Sequence, residues 1–110
     1  MSIVSSLIKK ESMRNQNMII EYERELTSLP KGSIKVKHVG SKVYYYLNYR
    51  DGGKVVSKYI GKSEESLITI KEQLERRRQI EGMLKKLKEE QKQIKKLEAI
   101  LWFYIMEATW

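Results

Sequence analysis

The chain has 110 residues, enough for one small domain or for one domain with a helical extension. Apolar residues make up 41% and charged residues 33%, a composition that excludes a disordered chain. The absence of cysteine excludes disulfides and a cysteine nucleophile, and a single histidine, His38, excludes a zinc site built from histidines. We therefore expect a binding protein with no metal, no cofactor and no catalytic site.

The formal charge of +8 is concentrated in the middle of the chain. Residues 31–62 carry eight basic side chains and one acidic side chain, a net charge of +7, whereas residues 1–30 are neutral and residues 63–110 have a net charge of +1. Such a block is typical of a protein that binds a polyanion. The alternative is that the lysines keep a small sheet soluble and protect its edges.

No segment predicts a membrane span. The longest unbroken apolar run, residues 99–106, is far shorter than the roughly 18 residues that a spanning helix needs. The N-terminal residues lack the basic region and the cleavage site of a signal peptide. We expect a soluble, cytoplasmic protein with no membrane partner.

The first segment, residues 1–29, predicts a helix over residues 3–27. Apolar residues recur there at helical spacing, namely Val4, Leu7, Ile8, Met18, Ile19, Tyr22 and Leu26. Pro30 and Gly32 follow, and because proline cannot continue a helix, an extended segment begins at this point.

The second segment, residues 30–62, predicts a three-stranded antiparallel sheet. Its strands are expected over Ser33–Val39, Val43–Arg50 and Lys54–Ile60, with tight turns at Gly40-Ser41 and Asp51-Gly52-Gly53. Alternation along the second strand separates two sets of side chains: Val43, Tyr45, Leu47 and Tyr49 on one face, and Tyr44, Tyr46, Asn48 and Arg50 on the other.

The second of these faces combines residue types that bind nucleic acid. Lysine and arginine contact phosphates, asparagine and arginine can read base edges, and exposed aromatic rings stack on unpaired bases. The candidate binding residues are Lys35, Lys37, Tyr44, Tyr46, Asn48, Arg50, Lys54, Lys58, Lys62 and Arg77. The alternative is that Tyr44 and Tyr46 pack beneath a helix, which would expose the opposite face.

The third segment, residues 63–110, predicts one long helix that ends near residue 108. Ser63 is the expected N-cap, and Glu64 and Glu65 follow in the first turn, where the helix dipole favours anions. Lys62 precedes this helix N-terminus, where free amides can hold an anion. Arg77 lies in a run of three arginines that either grips phosphates or forms a solvated surface paired with glutamates.

The C-terminal tail predicts an interface. If both helices begin at the sheet, the first, roughly 38 Å long, reaches only to about residue 90 of the last. Residues 99–106 would then have no partner within the chain, and a helix that is apolar on every side must be buried. We expect a homodimer through Leu97, Leu101, Trp102, Tyr104 and Ile105. The alternative is a bent helix that completes the core of the monomer.

Together these elements predict an α+β fold, with an N-terminal helix, a three-stranded antiparallel sheet and a long C-terminal helix that forms a helical hairpin or coiled coil. Three stretches, Leu29-Pro-Lys-Gly-Ser33, Val43-Tyr-Tyr-Tyr-Leu47 and Lys58-Tyr-Ile-Gly-Lys62, resemble an uncharacterised small domain family of bacteria, phages and mobile elements. The resemblance covers residues 29 to about 85 and implies no activity. The β-β-β-α order is also similar to the DNA-binding arm domain of tyrosine-type integrases, an analogy of architecture alone.

The leading functional hypothesis is a non-catalytic DNA- or RNA-binding protein of a phage or mobile element. A second hypothesis is a phage-encoded, anti-CRISPR-like inhibitor that binds an acidic or nucleoprotein complex of the host. A third is an assembly protein that uses the long helix as a coiled-coil module.

Overall fold

The computed structural model describes residues 2–61 and 63–108 and confirms the expected α+β fold. Its elements in chain order are α1 (Ile3–Thr27), β1 (Ser33–Val39), β2 (Lys42–Asp51), β3 (Lys54–Gly61) and α2 (Glu64–Ala108). The strands form one antiparallel sheet in the order β1-β2-β3. Neither of the described helices has a stretch apolar and long enough to cross a lipid bilayer.

Local signals place the element boundaries within one residue of the positions that the sequence predicted. The Ser63 hydroxyl accepts a hydrogen bond from the Ser66 amide at 3.3 Å, which confirms Ser63 as the N-cap of α2. Gly32 has a φ of 118°, and a side chain there would strike the backbone carbonyl of Asn48. Glycine at this position lets the chain pass close to β2 as it enters β1.

The chain divides into two compact units. A helical unit comprises residues 1–27 and 80–110, and a sheet unit comprises residues 28–79. The division falls within α2, between Gln79 and Ile80. The sheet unit buries Leu47, and the helical unit buries a row of apolar side chains: Ile19, Ile80, Leu84, Leu87 and Ile94.

The helical unit is an antiparallel helical hairpin. Near its middle, the side-chain amide of Asn15 on α1 donates a hydrogen bond to the Leu87 carbonyl of α2 at 2.8 Å. Surface ion pairs join the same two helices, between Lys88 and Glu23 at 3.4 Å and between Arg14 and Glu90 at 3.7 Å. Asn15 itself is fully buried, so a polar contact lies at the centre of an apolar helix interface.

The hairpin corrects one part of the expectation that residues 99–106 lack a partner within the chain, since Ile100 and Phe103 are indeed exposed. Ile8 and Ser12 of α1 line one groove together with Leu101 and Ile105 of α2. For Leu101 and Ile105 the expectation was wrong, because it assumed that both helices begin at the same level. Instead, α1 lies alongside the part of α2 that begins near Ile80, so its N-terminal half reaches the tail.

Replacing Gly82 with alanine should stabilise the protein. A Cβ atom at this helical position would meet no heavy atom within 4 Å, and alanine favours a helix by about 1 kcal/mol relative to glycine. We expect G82A to raise the free energy of unfolding in urea by about 1 kcal/mol, measured by far-ultraviolet circular dichroism. The matched control, G32A, should lower it, because its Cβ would clash with Asn48. A destabilised G82A would contradict the α2 geometry.

Replacing Asn15 with leucine tests the buried amide. Its Oδ1 atom is inaccessible and has no hydrogen-bond partner among the described residues. Removing such a group relieves a cost of about 1–3 kcal/mol and loses one hydrogen bond worth about 1 kcal/mol. We therefore expect N15L to raise the free energy of unfolding by about 1 kcal/mol. The same change at exposed Asn17 should alter it by less than about 0.5 kcal/mol. A large loss in N15L would show that the bond to Leu87 dominates.

Candidate nucleic-acid interface

The sheet buries one of its two faces around Leu47. In the strand register, Ile34 of β1 and Lys58 of β3 lie directly opposite Leu47 of β2, so the three side chains share a face. Leu47 is only 5% exposed. It lines a cavity of about 510 Å³ together with Pro30 and with Ile70 of α2, so within the sheet unit the helix covers this side of the sheet.

The opposite face gathers the cations and aromatic rings. The register also puts Ser33 and the exposed Val39 and Val55 on this side. We call the other members, which occupy alternate positions of all three strands, the basic-aromatic face: Lys35, Lys37, Lys42, Tyr44, Tyr46, Asn48, Arg50, Ser57 and Tyr59. Its four cations are exposed. None of the described strand positions on this side is acidic, because Asp51 points to the same face as Leu47. The face therefore carries a uniformly positive charge.

Three tyrosines form the centre of the basic-aromatic face. The ring centroids of Tyr46 and Tyr59 are 5.4 Å apart, and those of Tyr44 and Tyr59 are 6.2 Å apart, with the planes tilted by 53° and 52°. Such distances are typical of aromatic pairs that stabilise each other. Tyr44 and Tyr46 are half-buried, whereas Tyr59 is 49% exposed, so the cluster is held in place yet offers ring surface for a ligand.

Beside the rings lies a shallow polar depression of about 280 Å³. It is lined by Lys35 and Lys37, the Tyr46 ring, Asn48 and Ser57. The depression is smaller than the usual pocket for a small molecule, so it suits an extended ligand lying across the surface. The Oδ1 atom of Asn48 is inaccessible and has no hydrogen-bond partner among the described residues, so this acceptor is free to pair with a donor if the side chain turns outward.

The register corrects the face on which two of the predicted binding residues were expected, Lys54 and Lys58. Lys58 pairs with Leu47, and Lys54 pairs with Asp51, so both lysines lie on the same face as Leu47, where their side chains are exposed. Apolar alternation alone did not assign the faces of β3, because Val55 and Val56 are adjacent and apolar. The structure therefore separates Lys54 and Lys58 from Lys35, Lys37 and Arg50.

Arg77 has a structural partner. Its Nη1 atom donates a hydrogen bond to the Leu29 carbonyl at 3.2 Å, and its side chain is half-buried. The neighbouring Arg78 pairs with Glu75 at 3.0 Å, as the solvated alternative predicted. Arg77 thus fixes the chain that enters the sheet, rather than extending the basic-aromatic face. Lys62, also a predicted binding residue, lies outside the described residues.

Three members of the basic-aromatic face, Lys42, Ser57 and Tyr59, were missed in the sequence. Tyr59 lies directly opposite Tyr46, and Lys42 begins β2 one residue earlier than predicted. The signal for Tyr59 was present: counting outward in pairs from the two-residue turn at Gly52 and Gly53 brings it opposite Tyr46.

The family model described as "Domain of unknown function (DUF6788)" matches residues 8–69. The chain belongs to this family. The DUF6788 match confirms the resemblance to an uncharacterised small domain family, although it begins within α1 and ends at Thr69, instead of covering residues 29 to about 85. It includes every member of the basic-aromatic face. No curated protein and no solved structure matches the chain significantly.

Replacing Arg77 with methionine should destabilise the sheet unit. A half-buried hydrogen bond from a charged donor contributes about 1.5–3 kcal/mol, and R77M would leave the Leu29 carbonyl without it. We expect the free energy of unfolding in urea to fall by about 2 kcal/mol. The control R78M removes an exposed ion pair and should cost less than about 0.5 kcal/mol. If R77M and R78M lose the same free energy of unfolding, the structural role assigned to Arg77 is wrong.

Proposed function

We propose that the protein is a non-catalytic nucleic-acid-binding protein that binds through the basic-aromatic face. The observation that carries the proposal is the register of the sheet, which gathers four exposed cations and three clustered tyrosines on the side opposite Leu47. Lysines and arginine would contact phosphates, and the exposed ring of Tyr59 would contact bases or sugars. The acceptor of Asn48 would contribute a base-edge contact.

The dimensions of the sheet support duplex DNA as the first ligand to test. Neighbouring strands lie about 4.8 Å apart, so three strands span about 10 Å between the outer backbones. The major groove of B-DNA is about 12 Å wide and admits β-structure, whereas the major groove of A-form RNA is too narrow for side chains to read. The architectural analogy with the arm domain of tyrosine-type integrases supports the same mode. We also propose that the protein comes from a phage or mobile element. This proposal depends only on the resemblance of residues 29–33, 43–47 and 58–62 to the uncharacterised family.

Binding should weaken steeply as the salt concentration rises, and it should require the cations of the basic-aromatic face. We propose fluorescence anisotropy with labelled duplex DNA, single-stranded DNA and an RNA hairpin, titrated over a range of salt concentrations. Each phosphate contact adds about 0.9 to the slope of log K against log salt. We therefore expect the double variant K35A/K37A to lower the slope for the preferred ligand by about 2 and to weaken binding about tenfold or more at low salt.

The matched control is K85A/K86A, which removes the same charge from exposed positions of the helical unit. It should keep the slope of the unmodified protein. Equal weakening in both variants would mean that net charge alone drives binding, and would overturn the role of the basic-aromatic face. If the unmodified protein binds none of the three ligands at low salt, the proposed function is wrong. A host protein retained after nuclease treatment would then favour the inhibitor hypothesis.

A further inference from the structure

The C-terminal part of α2 carries a second apolar stripe that α1 does not cover. Ile94 is buried and Leu101 is half-buried towards α1, whereas Ile100 is 66% exposed and Phe103 is 67% exposed. At about 100° per residue, Ile100 and Phe103 point away from the side that carries Ile94 and Leu101. The C-terminal end of α2 therefore presents apolar side chains on two sides, one towards α1 and one towards solvent.

Exposed neighbours widen this stripe. Leu97 and Tyr104 flank it with exposures of 51% and 73%. An aromatic side chain has about 150–250 Å² of surface, so Leu97, Ile100, Phe103 and Tyr104 together expose on the order of 600 Å². The largest apolar patch on an ordinary monomer is about 300–600 Å², and a stable interface buries about 800 Å² per partner, little more than half of it apolar. The stripe is large enough for a dimer.

A charged residue ends the stripe on each side, with opposite signs. Lys96 precedes the apolar residues and Glu107 follows them, and all of Lys96, Ile100, Phe103 and Glu107 fall within about 60° of one another on the helix. Both charged side chains are exposed, and neither forms an ion pair with another residue in the described part of the chain. The sequence of the stripe thus reads cation, apolar, apolar, anion.

Because of this order, the stripe is complementary to a second copy of itself that runs antiparallel. The midpoint between Lys96 and Glu107 coincides with the midpoint between Ile100 and Phe103, between Leu101 and Trp102. If two copies of α2 pack antiparallel about a two-fold axis at that point, Ile100 lies against the partner's Phe103, and Lys96 lies against the partner's Glu107. Isologous interfaces require such self-complementarity. A parallel arrangement would place like charges together.

We propose that the protein forms a homodimer through this stripe, with the two α2 helices antiparallel. The interface differs from the one expected from the sequence. Leu101, Trp102 and Ile105 line the groove beside α1 within one chain. Ile100 and Phe103, which are not among the residues expected from the sequence, form the centre of the interface. Leu97 and Tyr104 keep their expected place at its edge. The inference does not depend on nucleic-acid binding.

A charge exchange tests the geometry. The full chain, freed of nucleic acid by nuclease treatment, is studied by sedimentation equilibrium at moderate salt. K96E places two glutamates together at each end of the interface, and E107K places two lysines together, so each variant should weaken dimerisation about tenfold or more. An equimolar mixture of the two variants restores both attractive pairs, as does the double variant K96E/E107K, and both should dimerise as the unmodified protein does.

The control K95E makes the same charge change on a different side of α2 and should leave the dimer intact. For the apolar centre, I100S should shift the protein to monomer, while I20S, the same change at a residue of α1 that is 52% exposed, should not. Circular dichroism checks that every variant keeps its helices. A monomer at all concentrations overturns the proposal, as does a dimer that K96E and E107K leave unchanged.

Discussion

The burial of Leu47 decides which side of the sheet is available to a ligand. Because side chains alternate along β2, placing Leu47 beside Pro30 and Ile70 places Tyr44 and Tyr46 on the other side. Pairing with β1 and β3 then adds the lysines of one strand and Tyr59 of the other. One buried leucine therefore fixes the composition of the entire basic-aromatic face, and a register shift of one residue would disperse it.

A small sheet with one buried leucine needs further support, and polar contacts supply it. Arg77 holds the carbonyl of Leu29 where the chain enters the sheet, and Gly32 allows the close approach that follows. Arg77 is not a member of the basic-aromatic face, whereas Gly32 approaches the backbone of one of its members, Asn48. Cations that the sequence alone does not distinguish therefore have different roles. Arg77 stabilises the sheet unit, whereas Lys35 and Lys37 are exposed and available to a ligand.

The helical unit pairs two long helices whose apolar stripes are weak. Such stripes alone would allow more than one alignment of the helices. The Asn15 side chain, buried against the Leu87 carbonyl, favours a single alignment, because a polar group in an apolar interface is costly wherever it lacks a partner. That alignment brings the N-terminal half of α1 beside Leu101 and Ile105. It also leaves Ile100 and Phe103 exposed on the outer side of α2.

The sequence determined the local features: both helices, the three strands, the cap at Ser63 and the two faces of β2, because each follows from periodicity, turn residues or capping within a few positions of the chain. It also located the positive charge. Tertiary structure alone decided that Arg77 is held by Leu29 and that α1 runs beside the tail of α2. These outcomes depend on how the chain is held where it enters the sheet and on the level at which the two helices of the hairpin meet. Both are set by which apolar surfaces pack together, and sequence spacing does not contain that information.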